Sequence, residues 1–161
     1  MKRRLIRLSR ILGAAGVLLL AGCGGDDTVP EAISSSPSLT IEATKLLFRE
    51  EIDGTAPAGV FLELHYLLAN ESDSDLLFAQ DDLRLESGSD NSYAPSPAGL
   101  EAWMRESPGY HLTEAVTLVR GSHPRPWITV FDIPLSEHGS AFAVRFRSET
   151  RVAVPEGLRT Q

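Results

Sequence analysis

From Leu39 onward, hydrophobic and polar side chains alternate with a period of two, which is the period of a β-strand. The clearest case is the segment from Val60 to Asn70. Its even-numbered positions carry the residues that we expect on a buried face: Leu62, Leu64, Tyr66 and Leu68. Its odd-numbered positions mix apolar and polar residues, which we expect on a half-exposed face: Phe61, Glu63, His65 and Leu67.

Shorter segments of this kind, separated by Gly, Pro, Asn and Asp turns, continue along the chain. They predict further strands at 40–48, 76–78, 83–86, 115–119, 127–133, 141–147 and 152–154. One short helical turn is predicted at residues 100–106, closed by Pro108 and Gly109. About seven short strands with such turns predict an all-β fold, a β-sandwich, rather than an α/β fold. We place this domain at residues 39–157, followed by a tail at 158–161.

The first 22 residues have the pattern of an export signal. Five basic residues and no acidic residue lie within residues 1–10. Ile11 to Leu20 then form an apolar stretch, which is shorter than the about 20 residues of a membrane-spanning helix. Its length is typical of the hydrophobic part of a signal peptide, so we predict a leader at residues 1–22.

The sequence Leu20-Ala21-Gly22-Cys23 resembles the lipobox of bacterial lipoproteins, in which an aliphatic and two small residues precede the lipidated cysteine. The resemblance implies cleavage between Gly22 and Cys23 and acylation, including palmitate, at Cys23. Two or more acyl chains anchor a protein stably, whereas one binds marginally. The alternative is an ordinary signal peptide with a chance cysteine, and Arg3-Arg4 alone does not make a twin-arginine signal. Gly24 is not the aspartate of inner-membrane lipoproteins, so in a cell with two membranes we expect the outer one, facing the periplasm.

Residues 23–38 are expected to form a flexible tether, because glycine, proline, serine and acidic residues dominate after Cys23. Removing the leader leaves 10 basic and 22 acidic side chains, a net charge of −12. Such a charge disfavours nucleic acid and anionic lipid headgroups and favours cations or basic partners. Because Cys23 is the only cysteine, no disulfide within the chain is available to hold the domain together.

Four segments follow one another in an order that characterises a known family. They are the alternating strand ending at Asn70, Leu83–Ser87 with Tyr93 downstream, Val130-Phe131-Asp132-Ile133-Pro134, and Phe142–Phe146. Over residues 39–154 the chain therefore resembles the telokin-like immunoglobulin-fold domains of bacterial lipoproteins and secreted proteins. The resemblance implies an immunoglobulin-like β-sandwich and an extracytoplasmic location, and it supplies no catalytic residues. The chain departs from the family at 120–126, where a Pro-Gly turn is usual, and its 99–112 segment is longer than typical.

Two groups of polar residues have spacings that suit metal binding, and each also has a structural explanation. Glu63 and His65 lie two apart on one strand face, which suits a shared metal or simply the polar face of a half-exposed strand. Asn70, Asp73 and Asp75 resemble part of a calcium loop but lack its glycine and distal glutamate. A polar hairpin turn is the simpler hypothesis for these three.

The remaining histidines, His111, His123 and His138, lie in or beside predicted loops. The chain has no Gly-x-Ser-x-Gly elbow, no His-Glu-x-x-His motif and no glycine-rich phosphate loop. We therefore predict no catalytic residues, no metal and no cofactor apart from the covalent lipid on Cys23.

Trp103 and Met104 on the helical turn, with Tyr110 nearby, are candidates for a binding patch, because aromatic residues are favoured at binding hot spots. Capping of the hydrophobic core is the alternative role for them. At the end of a late strand, Asp132 is expected to accept hydrogen bonds beside Phe131, which we place in the core.

Three functional hypotheses remain open. The first is a tethered interaction module that reaches the membrane through its lipid and meets a protein partner in the cell envelope. The second is an envelope hydrolase or metal-binding protein, whose histidine and acidic side chains converge in the fold. The third is a structural or stress-related envelope component. Histidines that gather in one cleft would favour the second hypothesis, and scattered histidines the first.

Overall fold

The structure is a computed structural model that describes residues 39–88, 90–110, 115–147 and 150–160. The predicted leader, the predicted lipidation site Cys23 and the predicted tether at 23–38 lie outside the described residues. Within the described ranges, no helix is both long and apolar enough to cross a membrane.

The described residues form ten β-strands and one α-helix, which confirms the predicted all-β class. The helix is α1 (Pro97–Glu106), between β5 and β6. The strands, in chain order, are β1 (Leu39–Arg49), β2 (Val60–Asn70), β3 (Leu76–Ala79), β4 (Leu83–Ser87), β5 (Ser92–Tyr93), β6 (Ala115–Leu118), β7 (Arg125–Ile133), β8 (Phe142–Phe146), β9 (Thr150–Val154) and β10 (Arg159–Thr160).

In the described part of the chain, these strands make two four-stranded sheets and a separate pair. The first sheet has the order β10-β1-β2-β7, with β1 and β2 antiparallel and β10 parallel to β1. The second sheet has the order β5-β4-β8-β9, and all its neighbours are antiparallel. Strands β3 and β6 form the antiparallel pair. All three contribute side chains to one hydrophobic core, so the architecture is sandwich-like.

The predicted inner face of β2 lies in this core. Leu62, Leu64, Tyr66 and Leu68 are each at most 1% exposed, as the period-two pattern requires. Phe78 from β3 packs beside Tyr66, with ring centroids 6.5 Å apart, and stacks on Phe146 from β8 at 5.4 Å. Aromatic rings therefore connect the first sheet, the β3–β6 pair and the second sheet.

The outer face of β2 is half-exposed at His65 and Leu67, as the sequence predicted, but not at its beginning. Phe61 and Glu63 are only 1% and 3% exposed. The cause is α1, whose Ala102 and Trp103 join Phe61 in a second buried cluster on that side. Because the helix covers this part of the sheet, the first half of β2 is buried on both faces.

Three of the differences from the boundaries predicted by the sequence have local reasons. Helix α1 begins at Pro97 rather than at residue 100, since proline suits the first turn of a helix. Strand β7 begins at Arg125 and includes Pro126, which the sheet tolerates because β7 is an edge strand. Within the predicted tail, Arg159 pairs with Leu46 of β1 in a two-residue parallel strand too short to carry a sequence pattern.

Candidate functional site

Residues at the start of helix α1 allow the helix to pack closely against the first sheet. Ser96 caps the helix, its hydroxyl accepting a hydrogen bond from the Gly99 amide at 3.2 Å. A side chain at Gly99 would place its Cβ 2.7 Å from Val130 Cγ1 and 2.9 Å from Phe61 Cε1. Glycine at this position therefore allows the helix to approach β2 and β7 closely.

The carboxylate of Glu63 lies between α1 and the sheet, at the centre of a polar cluster. Its Oε1 accepts a hydrogen bond from Trp103 Nε1 at 2.8 Å and lies 2.6 Å from His65 Nε2. Its Oε2 accepts from Arg49 at 3.4 Å. Three donors from three elements, β1, β2 and α1, thus converge on one buried carboxylate.

Opposing effects act on the pKa of Glu63. Burial raises it, because the charged form loses hydration. Hydrogen bonds from His65 and Trp103, and the charges of His65 and Arg49, lower it and together outweigh burial. The net direction is a pKa below the ordinary value, so Glu63 is a carboxylate at neutral pH.

Ion pairs then hold the second half of α1 in place. Arg49 extends from Glu63 to Glu106, with its Nη2 2.8 Å from Oε2 and 3.0 Å from Oε1 of Glu106. Arg105 donates to Asp53 at 2.6 Å and to Glu101 one helical turn earlier at 3.2 Å. These contacts fix the helix orientation relative to β1 and the loop after it.

A cavity of about 140 Å³ lies next to this cluster. It is lined by Thr44, His65, Tyr66, Trp103, Tyr110, Pro126, Trp127 and Ile128. The rings of Trp103 and Tyr110 meet edge to face, with centroids 5.4 Å apart. The Trp127 Nε1 group has no hydrogen-bond partner among the described residues. The cavity thus offers aromatic walls and an imidazole that contacts a buried carboxylate.

The three residues of the predicted binding patch do not share one site. Trp103 is 5% exposed and belongs to the second buried cluster, whereas Tyr110 is 56% exposed, and both line the aromatic cavity. Met104 packs against the edge of the second cluster and lines a different cavity, of about 330 Å³, with Gln80, Pro97 and Leu100.

The described histidines lie in different parts of the fold. His65 is on β2 beside Glu63. His138 packs against Phe48 at a ring distance of 4.1 Å and lines another cavity. His123 is exposed in the loop between β6 and β7, and His111 lies outside the described residues. Over the described ranges, no three His, Cys, Asp or Glu side chains are grouped as metal ligands.

The side chain of Asn70 forms hydrogen bonds that stabilise the turn after β2. Its amide nitrogen donates to the carbonyls of Ser74 and Leu118, both at 2.8 Å, and its oxygen accepts from the Ser72 amide at 3.0 Å. Asp75 accepts from the Arg120 amide at 3.0 Å. These bonds have the geometry of a polar turn, the simpler of the two hypotheses for this segment.

Asp132 accepts hydrogen bonds from the amides of Ala58 at 2.8 Å and Gly59 at 3.2 Å, which confirms its predicted role at a strand end. The adjacent Phe131 is fully buried, as predicted.

Sequence reasoning missed Thr44 and Trp127 as neighbours of the Glu63 cluster. The register between β1 and β2 shifts between Ala43 and Lys45, which leaves Thr44 in a β-bulge. Trp127 pairs with Tyr66 across β2 and β7. A two-residue period identifies a strand but not its partner or a bulge, so neither position carried a local signal.

The described residues define an all-β, sandwich-like protein with one helix docked on the outside of a sheet. No protein-family model and no curated protein matches the chain. Its fold is similar to the crystal structure of a conserved hypothetical protein from Bacillus anthracis, with a TM-score of 0.55 and 12% sequence identity. The alignment covers 79% of this chain and 94% of that chain. At this identity the likeness concerns the fold alone.

Proposed function

We propose that this chain is a lipid-anchored extracytoplasmic protein whose immunoglobulin-like domain binds a protein partner in the cell envelope. The anchor is supported by the sequence before Cys23, where basic, apolar and small residues occur in the lipobox order. The binding role is supported by the aromatic cavity beside α1. That cavity is the single observation on which the proposal of a binding module rests.

The cavity suits one bulky apolar side chain of a partner. Its volume of about 140 Å³ is close to that of an apolar protein cavity, about 150 Å³, that admits benzene. Tryptophan and tyrosine are enriched at binding hot spots, and Trp103 and Tyr110 both line the cavity. Since Glu63 and the ion pairs of Arg49 hold Trp103 and α1 in position, little ordering is required when a partner binds.

Site-specific photo-crosslinking tests the binding role in cells that express the full chain. Benzoylphenylalanine replaces Tyr110 in one strain and Val119 in a control strain, because the two side chains are 56% and 55% exposed. We expect a discrete adduct with one envelope protein from position 110 and none from position 119. Absence of an adduct at 110, or the same adducts at both positions, would contradict the proposal.

The anchor is tested with the variant Cys23→Ser. We expect the wild type to incorporate labelled palmitate and to sediment with membranes, and the variant to lose both properties. A Gly24→Ala variant serves as the control, since it leaves the acylated thiol in place. Continued lipid labelling and membrane association of Cys23→Ser would refute the lipid anchor.

A second candidate function, an envelope hydrolase, is favoured by one observation. The imidazole of His65 lies 2.6 Å from the buried Glu63 carboxylate, and His65 lines a cavity together with the hydroxyl-bearing Thr44. A histidine oriented by a carboxylate is a general-base arrangement. Hydrolysis of nitrophenyl esters that His65→Gln and Thr44→Val each abolish would favour the hydrolase. No hydrolysis above that of His65→Gln would exclude it for this substrate class.

A further inference from the structure

Three arginines stand side by side on the outer face of the second sheet. Arg84 on β4 is directly opposite Arg145 on β8, and Arg145 is directly opposite Arg151 on β9. Opposed residues of antiparallel strands have Cα atoms about 4.5–5.5 Å apart, so the row spans roughly 10 Å. Like charges directly opposite one another destabilise a sheet. The row therefore has to be offset by acidic neighbours or by an anionic ligand.

The acidic neighbours offset the row only in part. Glu86 bridges two of the arginines, with its oxygens 2.8 Å from Arg145 Nε and 2.7 Å from Arg151 Nε. Arg84 instead donates to the main-chain carbonyls of Asp81 and Leu83, both at 2.6 Å. One carboxylate is thus shared by two guanidinium groups, and the third guanidinium is bonded to neutral oxygens.

A fourth arginine extends this surface beside a hollow. Arg147 follows β8, and its guanidinium lies 3.1 Å from Asp82. Arg84, Arg145 and Arg147 line a hollow of about 290 Å³, with Asp81 and Asp82 also in its wall. The side chains of Arg145, Arg147 and Arg151 are 38%, 44% and 65% exposed, and Arg151 is the most accessible of the three.

We propose that this arginine face (Arg84, Arg145, Arg147 and Arg151) docks a short acidic segment of a partner protein. The planar fork of arginine matches a carboxylate in two-point hydrogen bonds. In an extended segment, side chains two residues apart point to the same side about 6.6 Å from each other, so two carboxylates fit within the row. The surface differs from the aromatic cavity, which lies against the first sheet.

The negative charge of the rest of the chain favours a short acidic segment over a large anionic ligand. The arginine face holds four of the 10 basic residues that follow the leader, in a stretch whose net charge is −12. A long polyanion, an anionic membrane or a second copy of this chain would also meet the acidic remainder and be repelled by it. A short acidic segment contacts the arginine face alone. The net charge alone predicts basic partners. The clustering of four arginines on one face predicts, in addition, an acidic partner segment.

Fluorescence anisotropy with labelled hexaglutamate tests the proposal on the full chain in non-ionic detergent. We expect saturable binding that weakens as salt is raised, because the contacts are ionic. The variant Arg84→Gln/Arg151→Gln should weaken binding at least tenfold. The control Arg120→Gln/Arg125→Gln removes the same charge from exposed positions outside the arginine face and should change affinity less than twofold.

Three results would overturn the proposal. The first is no saturable binding of hexaglutamate by the wild type. The second is an equal loss in both double variants, since net charge rather than the arginine face would then set the affinity. The third is binding of phosphatidylglycerol vesicles, lost in Arg84→Gln/Arg151→Gln, without binding of hexaglutamate, because the ligand would then be a membrane surface.

Discussion

Replacing Glu63 by glutamine removes the charge at the centre of the α1 contact while keeping the side-chain volume. In the wild type, both carboxylate oxygens face donors: Trp103 at 2.8 Å, His65 at 2.6 Å and Arg49 at 3.4 Å. A glutamine amide has only one acceptor oxygen, so its NH₂ group would face one of these donors. We therefore expect Glu63→Gln to lower the free energy of unfolding.

The magnitude follows from the burial of the group. A hydrogen bond to a charged group contributes about 1.5–3 kcal/mol, and removing one partner of a buried ion pair costs about 3–5 kcal/mol. Glu63 is 3% exposed, but the Arg49 side chain is 30% exposed and its contact is long, so screening reduces that part. We expect a loss of about 2–4 kcal/mol at pH 7. This is a large share of the about 5–15 kcal/mol that stabilise a typical domain.

The loss of unfolding free energy in Glu63→Gln should be larger at neutral pH than in acid. Because the pKa of Glu63 is lowered in the folded protein, its contribution is fully present above the unfolded value of 4.5. The contribution disappears as the pH falls through the lower folded value. The difference in unfolding free energy between wild type and Glu63→Gln should therefore be largest near neutral pH and shrink in acid below pH 4.5.

Urea denaturation followed by tryptophan fluorescence measures this difference at several pH values. The control is Glu106→Gln, which removes the exposed partner of Arg49 and should cost less than about 1 kcal/mol, as exposed ion pairs do. A Glu63→Gln protein within about 0.5 kcal/mol of the wild type at pH 7 would refute the reasoning. So would a difference that stays constant in acid.

Three further substitutions test other parts of the fold by the same denaturation assay. Gly59→Ala should lower the free energy of unfolding by more than about 2 kcal/mol, because its Cβ would clash with the Ile133 carbonyl. The control Gly157→Ala meets no atom within 4 Å and should stay within about 0.5 kcal/mol of the wild type. Equal effects of the two substitutions would contradict this prediction. Phe78→Ala should cost about 3–5 kcal/mol, since the ring is fully buried, and a loss below 1 kcal/mol would show a poorly packed core. Asn70→Ala should cost about 1–3 kcal/mol by leaving two carbonyls without a donor, and an unchanged midpoint would argue against those bonds.

The sequence predicted the strands well where the alternation of apolar and polar residues reflects burial of one strand face. The alternation of Leu62, Leu64 and Leu68 corresponds to a buried face, and Asp132 bonds at a strand end as its position suggested. These features depend on local order, which a period of two reports directly.

The candidate site could not be predicted in the same way, because it depends on contacts distant in sequence. Glu63 has the sequence neighbourhood of a solvent-facing strand residue, and only the docking of α1 buries it against Trp103. The neighbours in the cavity, Thr44 and Trp127, come from a bulge and from a strand partner. Neither the pairing of strands nor the placement of a helix is encoded in the local pattern.

The burial of the first half of β2 on both faces has a consequence for how the molecule unfolds locally. Its amides pair with β1 on one side and β7 on the other, and its side chains pack into two separate clusters. Loss of α1 from the sheet would uncover one face while leaving the main core intact, so we expect the helix to unfold as a separate cooperative unit. In amide hydrogen exchange, α1 should therefore open first, and the centre of β2 should exchange only on global unfolding.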